Sequence, residues 1–224
     1  MNRAVWATLL FLITAAPARA DAPSPPGLVP LPCKSGPIQP VAARYCRDHK
    51  NYVTPAARET LLRVAKALQR RHPEIVVRYM EASWPSGVRP MPPHLSHGDG
   101  RQIDLVLFYE DLHGRPLSRP GRPYGRHAPG YGAFEPPRRE ADRVCVDSAD
   151  TPHDAPDPPA DRPWRLSDVR TGSLISLLSA APEVRRIFLE PHLKSRLGFS
   201  GDPKVRFAGC EAARHDDHIH VDFR

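Results

Sequence analysis

Residues 215–223 read His215-Asp216-Asp217-His218-Ile219-His220-Val221-Asp222-Phe223, and their alternation decides the fold. Ile219, Val221 and Phe223 recur at every second position, the period of a β-strand with one face in a core. His218 and His220 fall between them and point together to the opposite face. A second segment of the same character runs His94-Leu95-Ser96-His97-Gly98-Asp99-Gly100-Arg101-Gln102-Ile103-Asp104. Asp104 opens a strand expected over Gln102–Tyr109, and a turn at Gly98–Gly100 folds His97 back toward it. Five of the eleven histidines lie in these two segments. Neutral imidazole and carboxylate are the usual nitrogen and oxygen ligands of zinc, and a catalytic zinc keeps one position open. Two segments that supply three ligands plus spare bases suit a hydrolytic metal site. Asp216, Asp217 and Asp222 read as partners for imidazole or as exposed charges, with exposure expected for two of the three.

Outward from these segments, Thr54-Pro55 starts a helix, with a hydroxyl cap followed by proline at the first helical position. Leu61, Leu62, Ala65 and Leu68 recur at helical spacing, and the helix ends near His72-Pro73. Residues 74–83 (EIVVRYMEAS) are β-branched and aromatic enough for a strand. After Trp164, a helix starts at Leu166-Ser167-Asp168 and ends by Pro182, Val184–Leu189 is a strand, and Pro191–Leu197 is a short helix closed by Gly198. Residues 204–207 and 219–223 complete the strands. The sum is an α+β fold, a small antiparallel sheet with flanking helices.

Proline makes up 28 of 224 residues, far above the usual share of about 5%. The excess lies in an irregular arm expected over 21–53 and in an insert at about 110–163, where eleven prolines exclude a regular core element. The domain is therefore expected over 54–224 with that insert within it. Residues 1–20 have Arg3, an apolar run over 4–16 and a closing Ala18-Arg19-Ala20, the pattern of a cleaved signal peptide. The run is too short to span a bilayer, which needs about 20 helical residues. Cleavage near Ala20 predicts a secreted or periplasmic protein with no stable membrane insertion and no nucleic-acid partner. Removing Arg3 and Arg19 lowers the net charge from +7 to +5, which still favours an anionic partner. A mean hydropathy of −0.47 excludes a polytopic membrane protein. In an oxidising compartment four cysteines allow three pairings, of which Cys33–Cys46 and Cys145–Cys210 are favoured.

Ser96-His97-x-x-Gly100-x-x-x-Asp104 with His218-x-His220 resembles the signature of the zinc peptidases that group lysostaphin, D-Ala-D-Ala dipeptidases and the hedgehog pseudo-peptidase domain. The doubled forms, with His94 and His215 added, resemble the penicillin-insensitive murein endopeptidases more closely, as does Arg185-Arg186-Ile187-Phe188-Leu189 followed by Pro191. The likeness covers residues 55–109 and 164–224. It implies a hedgehog/D-Ala-D-Ala-peptidase-like fold and a Zn²⁺ held by His97, Asp104 and His220, with His94 a fourth ligand or a close neighbour. It implies His218 as general base and His215 as a second histidine near the reacting carbonyl. The implied activity is a zinc metallopeptidase, a murein D,D- or L,D-endopeptidase acting on peptidoglycan stem peptides. The alternatives are a D,D-carboxypeptidase or dipeptidase of the same fold, and a catalytically silent zinc-containing protein that binds the cell wall.

Overall fold

The computed structural model describes residues 27–92, 94–117, 134–145 and 163–224. The expected signal peptide (1–20), the start of the arm and most of the Pro-rich insert lie outside the described residues. In chain order the elements are β1 (Val29–Pro30), β2 (Ile38–Pro40), α1 (Arg44–Arg47), β3 (Tyr52–Val53), α2 (Pro55–Arg71) and β4 (Val77–Tyr79). Next come β5 (Gln102–Val106), β6 (Tyr109–Asp111), β7 (Pro116–Leu117), a 3₁₀ turn (Glu140–Asp142), β8 (Trp164–Leu166) and α3 (Asp168–Ala180). The chain closes with β9 (Val184–Phe188), α4 (Pro191–Arg196), β10 (Val205–Arg206) and β11 (His218–Phe223).

The architecture is α+β. Its principal sheet has six strands in the order β10-β9-β11-β5-β4-β2. Its centre is antiparallel throughout, from β9 to β4, whereas the edge pairs β10–β9 and β2–β4 are parallel. A two-stranded ribbon, β1–β3, and a three-stranded sheet, β7-β6-β8, flank it. Helix α2 begins where the sequence places it: the Thr54 hydroxyl accepts from the Ala57 amide at 3.2 Å, and Pro55 occupies the first turn. Its buried side, with Leu61, Val64, Ala65 and Leu68, packs with α3 and its Leu174, Ile175 and Leu178. Ile103, Leu105, Ile187, Ile219 and Val221 from the central strands share the same core, all nearly inaccessible.

Three expectations change. The arm is not irregular: β2 is an edge strand of the principal sheet, and Leu31, Ile38, Tyr45 and Val53 are buried in the core. The strand expected over 74–83 is regular only at Val77–Tyr79, because beyond Tyr79 its partners change: Met80 donates to Asp104, and Ala82 to Lys50. The strand expected over 102–109 divides after Val106, and Tyr109 starts β6 of the second sheet. Glu110 ties that sheet to α3, accepting from the Ser167 hydroxyl at 2.6 Å and from Arg165 and Arg170 at 2.9 Å. Both favoured disulfides are present: Cys33–Cys46 staples the arm, and Cys145–Cys210 joins the insert to the loop that leads into β11. Among the described residues no helix is long and apolar enough to cross a membrane.

Candidate metal centre

Register builds the site. In the antiparallel pair β11–β5, His220 stands directly opposite Asp104 and Ile219 opposite Leu105. Because side chains alternate, the step that sends Ile219 and Leu105 into the core sends His220 and Asp104 to the other face. Cross-strand partners have β-carbons about 4.5–5.5 Å apart, close enough for their side chains to share one ion. The His220 Nδ1 lies 2.9 Å from Asp104 Oδ1.

His97 arrives from the loop that precedes β5. Gly98 has φ of +135° and Gly100 of +75°, and these turns aim the imidazole back at Asp104. The loop is held at both ends: the Ser83 hydroxyl donates to the Gly98 carbonyl, and the Met91 amide donates to the His97 carbonyl at 3.1 Å. His97 Nδ1 lies 3.0 Å from the Ala82 carbonyl, and since a carbonyl only accepts, this nitrogen carries the proton. That leaves Nε2 with its lone pair facing 3.3 Å to Asp104 Oδ1 and 3.3 Å to His220 Nδ1.

Three ligand atoms, His97 Nε2, Asp104 Oδ1 and His220 Nδ1, thus converge with edges of 3.3, 3.3 and 2.9 Å. Bonds of about 2.0–2.1 Å in a tetrahedron give edges of about 3.3 Å, so the three atoms are spaced to share one small cation. His94 belongs to the same cluster: one ligand atom from each of His94, His97 and Asp104 lies within 4.8 Å of the others. Its Nε2 also pairs with Glu81 at 3.1 Å, and Glu81 in turn takes Lys50 at 3.0 Å. The group can hold a metal ion.

His218, two residues before His220, follows the same strand face. Its Nε2 lies 3.7 Å from Asp104 Oδ1, and its Nδ1 lies 2.5 Å from Asp217 Oδ1. A buried carboxylate on Nδ1 fixes the tautomer that presents Nε2 to the cluster, the arrangement that orients a catalytic imidazole. The His215 ring stands 4.9 Å from that of His218 and 5.8 Å from that of His220. Glu190 at the start of α4 accepts from the His215 amide at 3.0 Å and fixes the loop there.

Burial makes the cluster's charges interdependent. Burial alone would raise the Asp104 carboxyl, but His97, His218 and His220 hold it well below the usual range. Burial works against the His97 imidazolium, yet Asp104 and the Ala82 carbonyl raise it. For His218 burial is likewise outweighed, by Asp217 and Asp104, and it is pushed up to about 9. For His220 burial wins, with His97 and His218 adding to it, and the imidazole is held down.

All six histidine and aspartate positions singled out as ligands or catalytic groups therefore come together on one sheet face. The expectation that two of Asp216, Asp217 and Asp222 are exposed is wrong, since all three are buried. Arg214 pairs with Asp216, Gln102 and Arg186 with Asp222, and His218 with Asp217. Partners of this kind are what make such burial tolerable. Sequence reasoning missed Glu81, whose only neighbours in sequence are apolar or small, and the Ala82 carbonyl, which no side chain announces. Asp217 did have a signal, its place beside His218. Neither a scan against protein-family models nor a search of curated proteins returns a match, so the site is read from its own geometry.

Proposed function

We propose that the protein is an exported zinc-dependent murein endopeptidase, hydrolysing the peptide cross-links of peptidoglycan. One observation carries the reading: His97 Nε2, Asp104 Oδ1 and His220 Nδ1 converge at 2.9–3.3 Å with a carboxylate-oriented imidazole, His218, beside them. A cluster of metal-ligand side chains with an oriented base next to it is the composition of a hydrolytic site. The motif resemblance supplies the substrate class, and the disulfides and the N-terminal sequence support an oxidising, exported setting.

The roles follow from position. His97, Asp104 and His220 would hold the zinc, with His94 beside them as a further ligand or neighbour. Bound there, it would supply the Lewis acidity that polarises a carbonyl and makes a water more acidic. His218 accepts the proton of the attacking water at Nε2 and returns it to the leaving amine, while Asp217 keeps the other nitrogen protonated. With Asp104 committed to a cation, one of the carboxylates that raise the His218 imidazole is engaged elsewhere, while Asp217 and Asp216 still hold its proton. His215 donates to the developing oxyanion.

The test is zinc-loaded protein on purified peptidoglycan, with and without chelator, read by muropeptide chromatography. Cross-linked dimers should fall only without chelator; free D-alanine rising with dimers unchanged would instead identify a carboxypeptidase. His97→Ala and His220→Ala should lose metal and activity together. His218→Ala should keep its metal and lose activity, and hydrolysis by that variant at the wild-type rate would overturn the assignment.

A further inference from the structure

The outer face of α2 carries a feature that the metal cluster does not use. A groove of about 710 Å³ runs along it, with Val29, Pro30 and Leu62 among its apolar lining. Arg58, Arg63, Lys66 and Arg70 give it four positive charges against one carboxylate, Glu59. Two of these cations are engaged: Arg58 donates to the Pro30 carbonyl at 3.1 Å, and Arg63 to Glu183 at 2.9 Å. The Lys66 and Arg70 side chains make no hydrogen bond or ion pair with any described residue, and both are exposed. They stand one turn apart, about 6 Å along the axis, and the stripe from Arg58 to Arg70 is about 18 Å long.

The groove's near end abuts the metal-site loop. The Thr54 amide, at the cap of α2, donates to the Gly100 carbonyl at 2.9 Å. A β-carbon on Gly100 would come within 2.5 Å of Leu28 Cδ2, next to Val29 of the lining. Gly100 itself lies between His97 and Asp104 in the chain.

The geometry points to a docking groove for a carboxylate-bearing polymer, in which Lys66 and Arg70 pair with stem carboxylates away from the reacting bond. The identity of the polymer rests on the hydrolytic reading above. Cations spread over a long open stripe suit a repeating anion, whereas a small anion needs donors that converge. Among the described residues no aromatic side chain lines the groove to stack nucleic-acid bases. The large exposed apolar side chains among the described residues, Val88, Leu95, Leu112, Val144 and Val169, lie in other segments, so the groove lacks what a membrane-surface helix inserts.

The experiment is co-sedimentation with purified insoluble peptidoglycan at low and high salt, for the wild type, the double variant Lys66→Glu/Arg70→Glu and His97→Ala. Thermal unfolding checks that the double variant is folded, as its two exposed positions predict. His97→Ala should sediment like the wild type, the double variant should bind about tenfold more weakly, and salt should weaken the wild type toward it. Equal binding by wild type and double variant overturns the groove, as does binding to anionic phospholipid vesicles in place of peptidoglycan. Cleavage of a short soluble cross-linked fragment by the wild type, measured in parallel, judges the hydrolytic reading separately. A protein that sediments as expected and cleaves nothing refutes that reading and leaves the groove standing.

Discussion

Gly98→Ala is the sharpest test of how the loop presents His97. A β-carbon on Gly98 would lie 2.3 Å from the Val88 carbonyl oxygen and 3.0 Å from Arg89 Cα, both backbone atoms that cannot swing aside. Its φ of +135° is also a conformation that side-chain-bearing residues rarely adopt, which costs about 1–3 kcal/mol. Overpacking against a fixed neighbour adds about 1–3 kcal/mol, so a loss near 4 kcal/mol is expected. At about 2–4 °C per kcal/mol for a chain of this size, the midpoint of thermal unfolding falls by about 8–16 °C. Gly114→Ala is the control: its φ is +79° but nothing lies within 4 Å of the added carbon, so it pays only the left-handed cost of about 1–2 kcal/mol. The loop's displacement reaches His97 directly, and zinc affinity should fall about 10–100-fold in Gly98→Ala alone, the range seen when a ligand loses its support. Calorimetric unfolding and competition with a chelating dye measure the two effects. Equal midpoints for the two variants, with unchanged zinc affinity in Gly98→Ala, would refute this account of the loop.

Asp217→Asn keeps the shape beside His218 but removes the charge that orients it. A hydrogen bond to a charged group contributes about 1.5–3 kcal/mol, so kcat should fall about 10–150-fold with KM and metal content unchanged. Glu110 is held below the usual carboxylate range: burial raises it, but Ser167, Arg165 and Arg170 outweigh burial. A depressed carboxyl contributes stability above its unfolded pKa of about 4.3, and loses it as pH falls through the folded value. Denaturant titrations from neutral to acid pH should therefore show a shallower loss of stability for Glu110→Gln than for the wild type. Leu105→Ala, beside Asp104 and 1% exposed, should cost about 2–5 kcal/mol in urea unfolding, with the cluster's zinc affinity lowered as well.

What could be read from the chain was whatever obeyed a short local rule. The Thr54-Pro55 start of α2 and the alternation around Ile219 and Val221 needed only their own neighbours, and both are present as expected. The arm was misread because proline content argued against order, whereas Ile38–Pro40 is an edge strand, where a sheet tolerates proline. The exposure expected for two of Asp216, Asp217 and Asp222 was a misreading, because it is the assembled β9, β11 and preceding loop that bring partners such as Arg186 to a buried carboxylate. The six clustered residues were legible because the chemistry of metal binding restricts residue type and spacing together. Glu81 and the Ala82 carbonyl were not, since a carboxylate bridging Lys50 and His94 is a fact of tertiary placement.

The pairing of His220 with Asp104 on one face and of Ile219 with Leu105 on the other has an energetic corollary. The same two strands serve as ligand scaffold and as core, so any opening of the β11–β5 ladder that exposes Leu105 also scatters the ion's ligands. An ion held there is thereby bound only by the intact ladder, and its binding free energy adds to the protein's resistance to unfolding. At a free ion concentration a hundredfold above its dissociation constant that amounts to about 2.7 kcal/mol. Supply of that ion would then govern how long the folded protein survives.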